Sequence, residues 1–415
     1  MRSVCSRPDR PYLRRRPLRA WLLVIAAGAW FAAAWYLWQT SVPAGLELPE
    51  LEPARFFSRS TLEEADDYGL VLDLLAVAAA VALVAVLAVY AAKGASFARE
   101  SAAGRIGTGM LLGMLGLGLV WFFQIGFGLA QLWWQRRHDL SEQGYAEWLL
   151  EGWWALGAEF LFVCLALVIV MGLAGPLRNW WWVAAAPAFV GLAVLFAFLL
   201  PYLLASATTA PDAELAADAR RIAAQQGVEG IPVRVEEVSD YTTLPNAYAV
   251  GLGPSRKVVL WDTLLGGQFG DEEVRVVVAH EYAHHARDHI WKLAGWFALF
   301  AFPGAALVAL ATRRRGGMRE PEAVPLGLFV LVVLQLLAQP VFNEFSRRLE
   351  AEADWQALET TRNPEAAIAL FEEFTRIGLE DPEPPGWAYF LQATHPSVME
   401  RIAMAEAWRA RRAQQ

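Results

Sequence analysis

His280-Glu281-Tyr282-Ala283-His284 is a stretch whose residue types and spacing suit hydrolytic chemistry. Imidazoles four residues apart lie on one face of a helix and can grip one Zn2+ with a nitrogen each. The glutamate between them is placed to act as a base on a water at that metal. Four of the chain's 6 histidines, His280, His284, His285 and His289, fall in this one window. The bland alternative is an ordinary helix that happens to carry histidines. A zinc hydrolase needs three protein ligands and one open position, so a third ligand must come from elsewhere. The run Ser346-Arg347-Arg348-Leu349-Glu350-Ala351-Glu352-Ala353-Asp354 offers Glu350 and Asp354, four apart and hence on one helix face. One of them can bind metal while the other orients a ligand histidine. Taken alone, this run reads as a solvated helix carrying surface acids.

The elements that must position these groups follow from the local pattern. The histidine motif sits in a helix-compatible run, Asp271–His289. On one continuous helix His285 is a step off the ligand face and His289 is about half a turn out of phase, so neither is predicted to bind metal. Asp288 is predicted to be solvated at the helix end, Arg347 to pair with an acid inside the fold, and Glu352 to point away from the Glu350/Asp354 face. Upstream, Asp212–Gln226 has a helical pattern stopped by Gly227, and Ile231–Val238, Ala247–Gly251 and Lys257–Trp261 read as short strands. The polar segments 206–290 and 343–415 each lack a complete core. They are predicted to pack together as one domain, pinned by the apolar helix pair of 291–342.

Composition puts this domain on a membrane. The chain is 56% hydrophobic with 19 Trp and only 19% charged residues, too apolar for a soluble protein of 415 residues. Seven stretches are long enough to cross a bilayer: Trp21–Trp38, Leu70–Ala92, Met110–Trp134, Leu149–Gly175, Trp180–Ala205, Trp291–Ala311 and Pro325–Phe342. Five of them make up a membrane region over 1–205. The first follows Arg14, Arg15, Arg16 and Arg19 and reads as a retained span rather than a cleaved signal. Asp73, Gln124, Glu151 and Glu159 sit within spans and are expected to face a bundle interior or water, Asp73 and Glu151 with snorkelling to a membrane edge as the alternative. Lys and Arg concentrate in the loops of one side. That places the N-terminus in the cytoplasm and both polar segments on the opposite side. A net charge of −8 and the lack of a basic stripe argue against a nucleic-acid partner. Cys5 and Cys164 are too few for a disulfide framework or a cysteine zinc site. The acidic loop Ser41–Tyr68 has no legible role.

Further motifs stand in order along the chain. Asn246-Ala247-Tyr248-Ala249-Val250-Gly251 and Lys257-Val258-Val259-Leu260-Trp261-Asp262-Thr263-Leu264-Leu265 precede the histidine motif, while Ser346–Asp354 and His395-Pro396 with Arg401 follow it. This ordered set resembles the integral-membrane zinc metalloproteases of the CAAX prenyl protease type, the Ste-twenty-four group, over roughly residues 206–410. The resemblance implies a mainly α, polytopic membrane protein with about seven transmembrane helices and a zincin-like α+β metalloprotease domain. It implies one Zn2+ per chain held by His280, His284 and Glu350, with Glu281 as general base and Asp354 supporting a ligand histidine. His395 and Arg401 match positions that stabilise the oxyanion or hold substrate. Asn246, Ala247, Tyr248 and Gly251 match an edge strand that receives the peptide by backbone pairing.

The function expected is hydrolysis of membrane-associated or unfolded polypeptides beside the bilayer. The Ala-, Arg- and Trp-rich composition points to a bacterial inner membrane, where prenylated substrates are not expected. An idle zinc-binding scaffold or chaperone is the alternative, but such a protein has no physical need for Glu281. A transporter is a third reading, disfavoured because few charged residues lie in the spans.

Overall fold

The computed structural model describes residues 15–204 and 207–414. Cys5 and Arg14 lie outside the described residues. The chain forms two compact units, Met1–Gln39 and Thr40–Gln415. The first contains α1 (Arg15–Leu37), whose apolar part is Val24–Leu37.

The second unit opens with four long helices, α2 (Arg59–Lys93), α3 (Gly104–Arg137), α4 (Tyr145–Leu177) and α5 (Trp181–Leu203). Apolar runs of this length become helices because lipid offers the backbone no hydrogen-bond partner. Ser58 caps α2, its hydroxyl oxygen accepting from the Thr61 N–H at 3.1 Å. Gln124 of α3 donates to the Ala79 carbonyl of α2 at 2.9 Å. Glu151 accepts from Gln143 at 2.6 Å, and Glu159 is exposed on α4.

Next come β1 (Thr208–Thr209), α6 (Ala213–Gln225), β2 (Val233–Glu236), β3 (Ala247–Val250), β4 (Lys257–Trp261) and α7 (Asp271–Ala286). An apolar pair follows, α8 (His289–Thr312) and α9 (Val324–Thr361), then α10 (Pro364–Gly378), α11 (Gly386–Gln392) and α12 (Val398–Ala413). Five helical segments among the described residues are long and apolar enough to cross a membrane: Arg59–Ala98, Gly104–Arg137, Tyr145–Leu203, His289–Arg315 and Pro321–Thr361. Of the expected span Trp21–Trp38, the apolar helix among the described residues is Val24–Leu37. The expected spans Leu149–Gly175 and Trp180–Ala205 fall in one segment, Tyr145–Leu203, in which α4 and α5 are separated by a single turn at Arg178, φ 50°, without a polar loop.

The strand order is β1-β2-β4-β3, with β2 parallel to β4 and β3 antiparallel to β4 at the edge. One hydrophobic cluster takes Ile222 from α6, Val258 and Leu260 from β4, Val277 and Tyr282 from α7, Leu358 from α9, Leu370 from α10 and Ile402 from α12. Residues before and after the α8–α9 pair therefore share one core. Phe57 is buried in the same cluster, with Val42, Leu46 and Leu51 packed against it, so the acidic loop covers this core. A second cluster joins Leu112, Met171, Trp181, Val308 and Val324 of the long helices. Helix α9 is 38 residues long, about 57 Å at 1.5 Å per residue. Its first half is apolar, and its second half carries Glu350, Glu352 and Asp354.

Candidate metal centre

Helix α7 starts with Asp271, Glu272 and Glu273, acids that suit the positive end of the helix dipole. Glu273 accepts from the Gly270 N–H at 3.0 Å. Val274, Val276, Val277 and Val278 bury the helix, which holds the turn bearing His280 and His284 firmly against α9.

Three ligand atoms converge there. His280 Nε2 stands 3.1 Å from His284 Nε2 and 3.1 Å from Glu350 Oε2, and His284 Nε2 stands 3.6 Å from the same oxygen. Tetrahedral ligands at about 2.0–2.1 Å from zinc stand about 3.3–3.4 Å apart, so the triangle has the size one zinc needs. Two imidazoles and a carboxylate also match the donor set of a three-ligand catalytic site. Glu281 belongs to the cluster, since the ligand atoms of His280, Glu281 and His284 lie within 4.8 Å of one another. Its carboxylate accepts from the Ala249 N–H of β3, and Glu350 is the carboxylate in contact with both imidazoles.

Burial lifts the Glu281 carboxyl to about 7, with His280 opposing and Glu350 adding to the shift. A carboxylate tuned near neutrality can both take and return a proton. Burial pushes His284 down to about 3, so its ring is neutral and has a lone pair to give. Burial also opposes charge on His280, but the hydrogen-bonded Asp354 and Glu350 prevail and raise it to about 10. For His280 to offer its Nε2 lone pair to a metal, that ring would have to give up its second proton.

Each ligand ring is held from behind. His280 Nδ1 is 2.8 Å from Asp354 Oδ1. Asp354 in turn accepts from Arg401 Nε at 2.8 Å and Nη2 at 2.7 Å, and the Arg401 guanidinium lies over the Phe371 ring at 4.2 Å. Arg401 therefore addresses Asp354. His395 is on the open side, its side chain 52% exposed and its Nε2 3.4 Å from Glu350 Oε2. Arg347 pairs with Glu344 at 2.5 Å and also donates to the Tyr389 and Ala393 carbonyls, which steadies the segment leading to His395. His285 points off the ligand face to the Lys257 carbonyl at 3.1 Å.

The expected single helix over Asp271–His289 does not form. Helix α7 ends at Ala286, Asp288 takes a left-handed φ of 56°, and α8 starts at His289. The break swings His289 back until its Nδ1 lies 2.9 Å from His284 Nδ1. Counting helical phase missed this contact, because phase has no meaning across a break. The only local sign was a histidine a few residues past the motif.

Strand β3 runs beside the triangle. In the antiparallel register Ala247↔Leu260, Tyr248↔Val259 and Ala249↔Val258, the Trp261 N–H donates to the Asn246 carbonyl at 2.9 Å. Alternation then turns the N–H and C=O of Ala247 and Ala249 to the open edge. Asn246 Oδ1 accepts the Ala247 N–H at 2.9 Å. The Tyr248 hydroxyl instead crosses the sheet to Glu236 at 3.0 Å. Gly251 has φ 95°, and a Cβ there would collide with the Ser255 carbonyl. A cavity of about 350 Å³ opens beside His280 and Glu281, lined by Leu264, Val276, Val277, Leu370, Phe371 and Phe374. A smaller one of about 170 Å³ lies past His284, between Gly251 and Trp291. The two flank the triangle along β3.

Fold and site define the class: a mainly α-helical protein with five segments long and apolar enough to cross a membrane, joined to a domain with a buried cluster of metal-ligating side chains. Residues 209–409 match the family model of Peptidase family M48. The chain is 26% identical over 283 residues to the Uncharacterized metalloprotease YhfN of Bacillus subtilis, covering 65% of this chain and 66% of that one. It is 25% identical over 249 residues to the CAAX prenyl protease 1 homolog of Arabidopsis thaliana, covering 57% of this chain and 58% of that one. The chain thus spans somewhat under two thirds of the curated relatives it matches. The crystal structure of S. mikatae Ste24p has the same fold, with a TM-score of 0.63 at 18% identity over 95% of this chain and 100% of that one.

Proposed function

We propose that this protein is a membrane-embedded zinc endopeptidase, with one Zn2+ per chain held by His280, His284 and Glu350. The observation that carries the reading is the 3.1, 3.1 and 3.6 Å triangle of ligand atoms beside an edge strand. Zinc bound there supplies Lewis-acid polarisation of a carbonyl and makes water acidic near neutral pH. Glu281 takes the proton from the attacking water and passes it to the leaving amine as the peptide C–N bond breaks. His395 donates to the carbonyl oxygen as negative charge grows on it. Arg401 acts through Asp354, keeping the His280 ring aimed.

The peptide lies along Asn246–Gly251, its N–H groups donating to the outward carbonyls of Ala247 and Ala249, while Tyr248 and Gly251 hold the strand in shape. Pairing of this kind takes an extended chain, which favours unfolded or membrane-associated polypeptides. A bulky apolar side chain next to the scissile bond fills the cavity of about 350 Å³. The catalytic domain combines 206–290 with 343–415, and 1–205 and 291–342 form the membrane part, seven crossings in all. The excess of basic residues in one set of loops puts the N-terminus in the cytoplasm and the catalytic domain on the far side of a bacterial inner membrane.

The test is Glu281→Gln on an unfolded protein substrate such as casein. We expect the variant to keep its zinc and lose about 10²–10⁴-fold in turnover. Undiminished turnover, or wild-type protein without zinc, overturns the reading.

A further inference from the structure

Glu352 is fully buried and touches no ligand atom, yet it sits at the end of a line of contacts that reaches the metal triangle. Its Oε1 accepts from the Ser41 N–H at 2.8 Å and Arg287 Nε at 3.0 Å. Its Oε2 meets Lys292 Nζ at 2.7 Å and His289 Nε2 at 3.2 Å. Four donors occupy the four acceptor sites of a carboxylate. His289 is itself only 1% exposed, and its other nitrogen faces His284 Nδ1 at 2.9 Å.

Two ring nitrogens at hydrogen-bond distance need one proton between them. A histidine that gives metal its Nε2 lone pair carries its proton on Nδ1, so His284 is the donor. His289 Nδ1 must then be the bare acceptor, and its own proton must sit on Nε2. Only an acceptor can face that Nε2–H, and Glu352 is the group there.

We propose that Glu352 is a positioning residue for the metal centre, fixing the tautomer of His289 and thereby the aim of His284. The inference rests on the zinc reading above. It also gives His284 a support equivalent to the Asp354 support of His280, so both imidazoles are locked from behind. A glutamine at 352 has the same shape but always turns its NH2 group towards donors, either His289 and Lys292 or Ser41 and Arg287.

Two measurements test this. In zinc-loaded wild-type protein labelled with nitrogen-15 histidine, His289 is expected as the Nε2–H tautomer, and an Nδ1–H ring overturns the proposal. In chelator competition, Glu352→Gln and His289→Phe are expected to bind zinc about 10–100-fold more weakly than wild type. Their Co2+-loaded forms should show a shifted visible spectrum. Wild-type affinity and spectrum in either folded variant overturn the proposal. Should neither variant fold, the tautomer decides alone. Wild-type protein that binds no zinc sinks the metal centre and this relay together, whereas zinc binding indifferent to Glu352 sinks only the relay.

Discussion

Arg401 clamps Asp354 through two hydrogen bonds of 2.8 and 2.7 Å, so the carboxylate that steadies His280 is itself held from α12. Both side chains are buried, at 10% and 5% exposure. Removing one member of such a pair strands a buried charge and costs about 3–5 kcal/mol. Arg401→Ala is therefore expected to melt well below wild type and to bind zinc weakly. Arg401→Lys keeps the charge without the two-pronged geometry and should fall between them. Thermal melts in detergent with parallel zinc titration check this. An Arg401→Ala protein with native melting and native zinc binding would count against it.

Gly251 ends the β3 strand at φ 95°, where an added Cβ would collide with the Ser255 backbone. Gly251→Ala should lower stability by more than about 1 kcal/mol, because the strain of a left-handed Ala adds to the collision. The distortion lies at the end of the proposed peptide strand, so kcat/KM should also fall. Paired melting and kinetics decide the matter, and unchanged values in both would show that the turn relaxes freely.

Phe374 forms part of the wall of the larger cavity and packs edge-on against Phe269, with ring centroids 5.9 Å apart. Phe374→Ala should widen the pocket and shift preference towards bulkier side chains by about tenfold or more. The assay is a peptide series varying Ala, Leu, Phe and Trp after the scissile bond. An unaltered order of preference would place that side chain elsewhere.

Asp262 accepts from the Ser239 hydroxyl at 2.6 Å and from the Val238 and Ser239 N–H groups at 2.9 and 3.1 Å. Burial alone would raise its carboxyl, but these bonds prevail and hold it below the usual value. A depressed folded pKa stabilises the protein fully above the unfolded value, about 3.9, and the contribution disappears as pH falls through the folded one. Asp262→Asn should thus melt below wild type at pH 7, and the gap should close on acidification below about pH 4. A gap that is constant with pH would refute the assignment.

Much of the site was legible in the chain. The four-residue spacing of His280 and His284, with Glu281 between them, prescribes a helix face able to grip metal. The apolar runs prescribe long helices, because lipid leaves the backbone no other way to satisfy its polar groups. Tertiary structure decided the rest. Glu350 reaches His280 from 70 positions away, and periodicity within either helix carries no record of that contact. The Tyr248 side chain went to Glu236 because strand alternation sends neighbouring side chains to opposite faces. A single left-handed residue, Asp288, turned His289 from an out-of-phase bystander into the neighbour of His284. Local spacing sets what one element presents, whereas the meeting of elements depends on breaks and packing that only the folded chain settles.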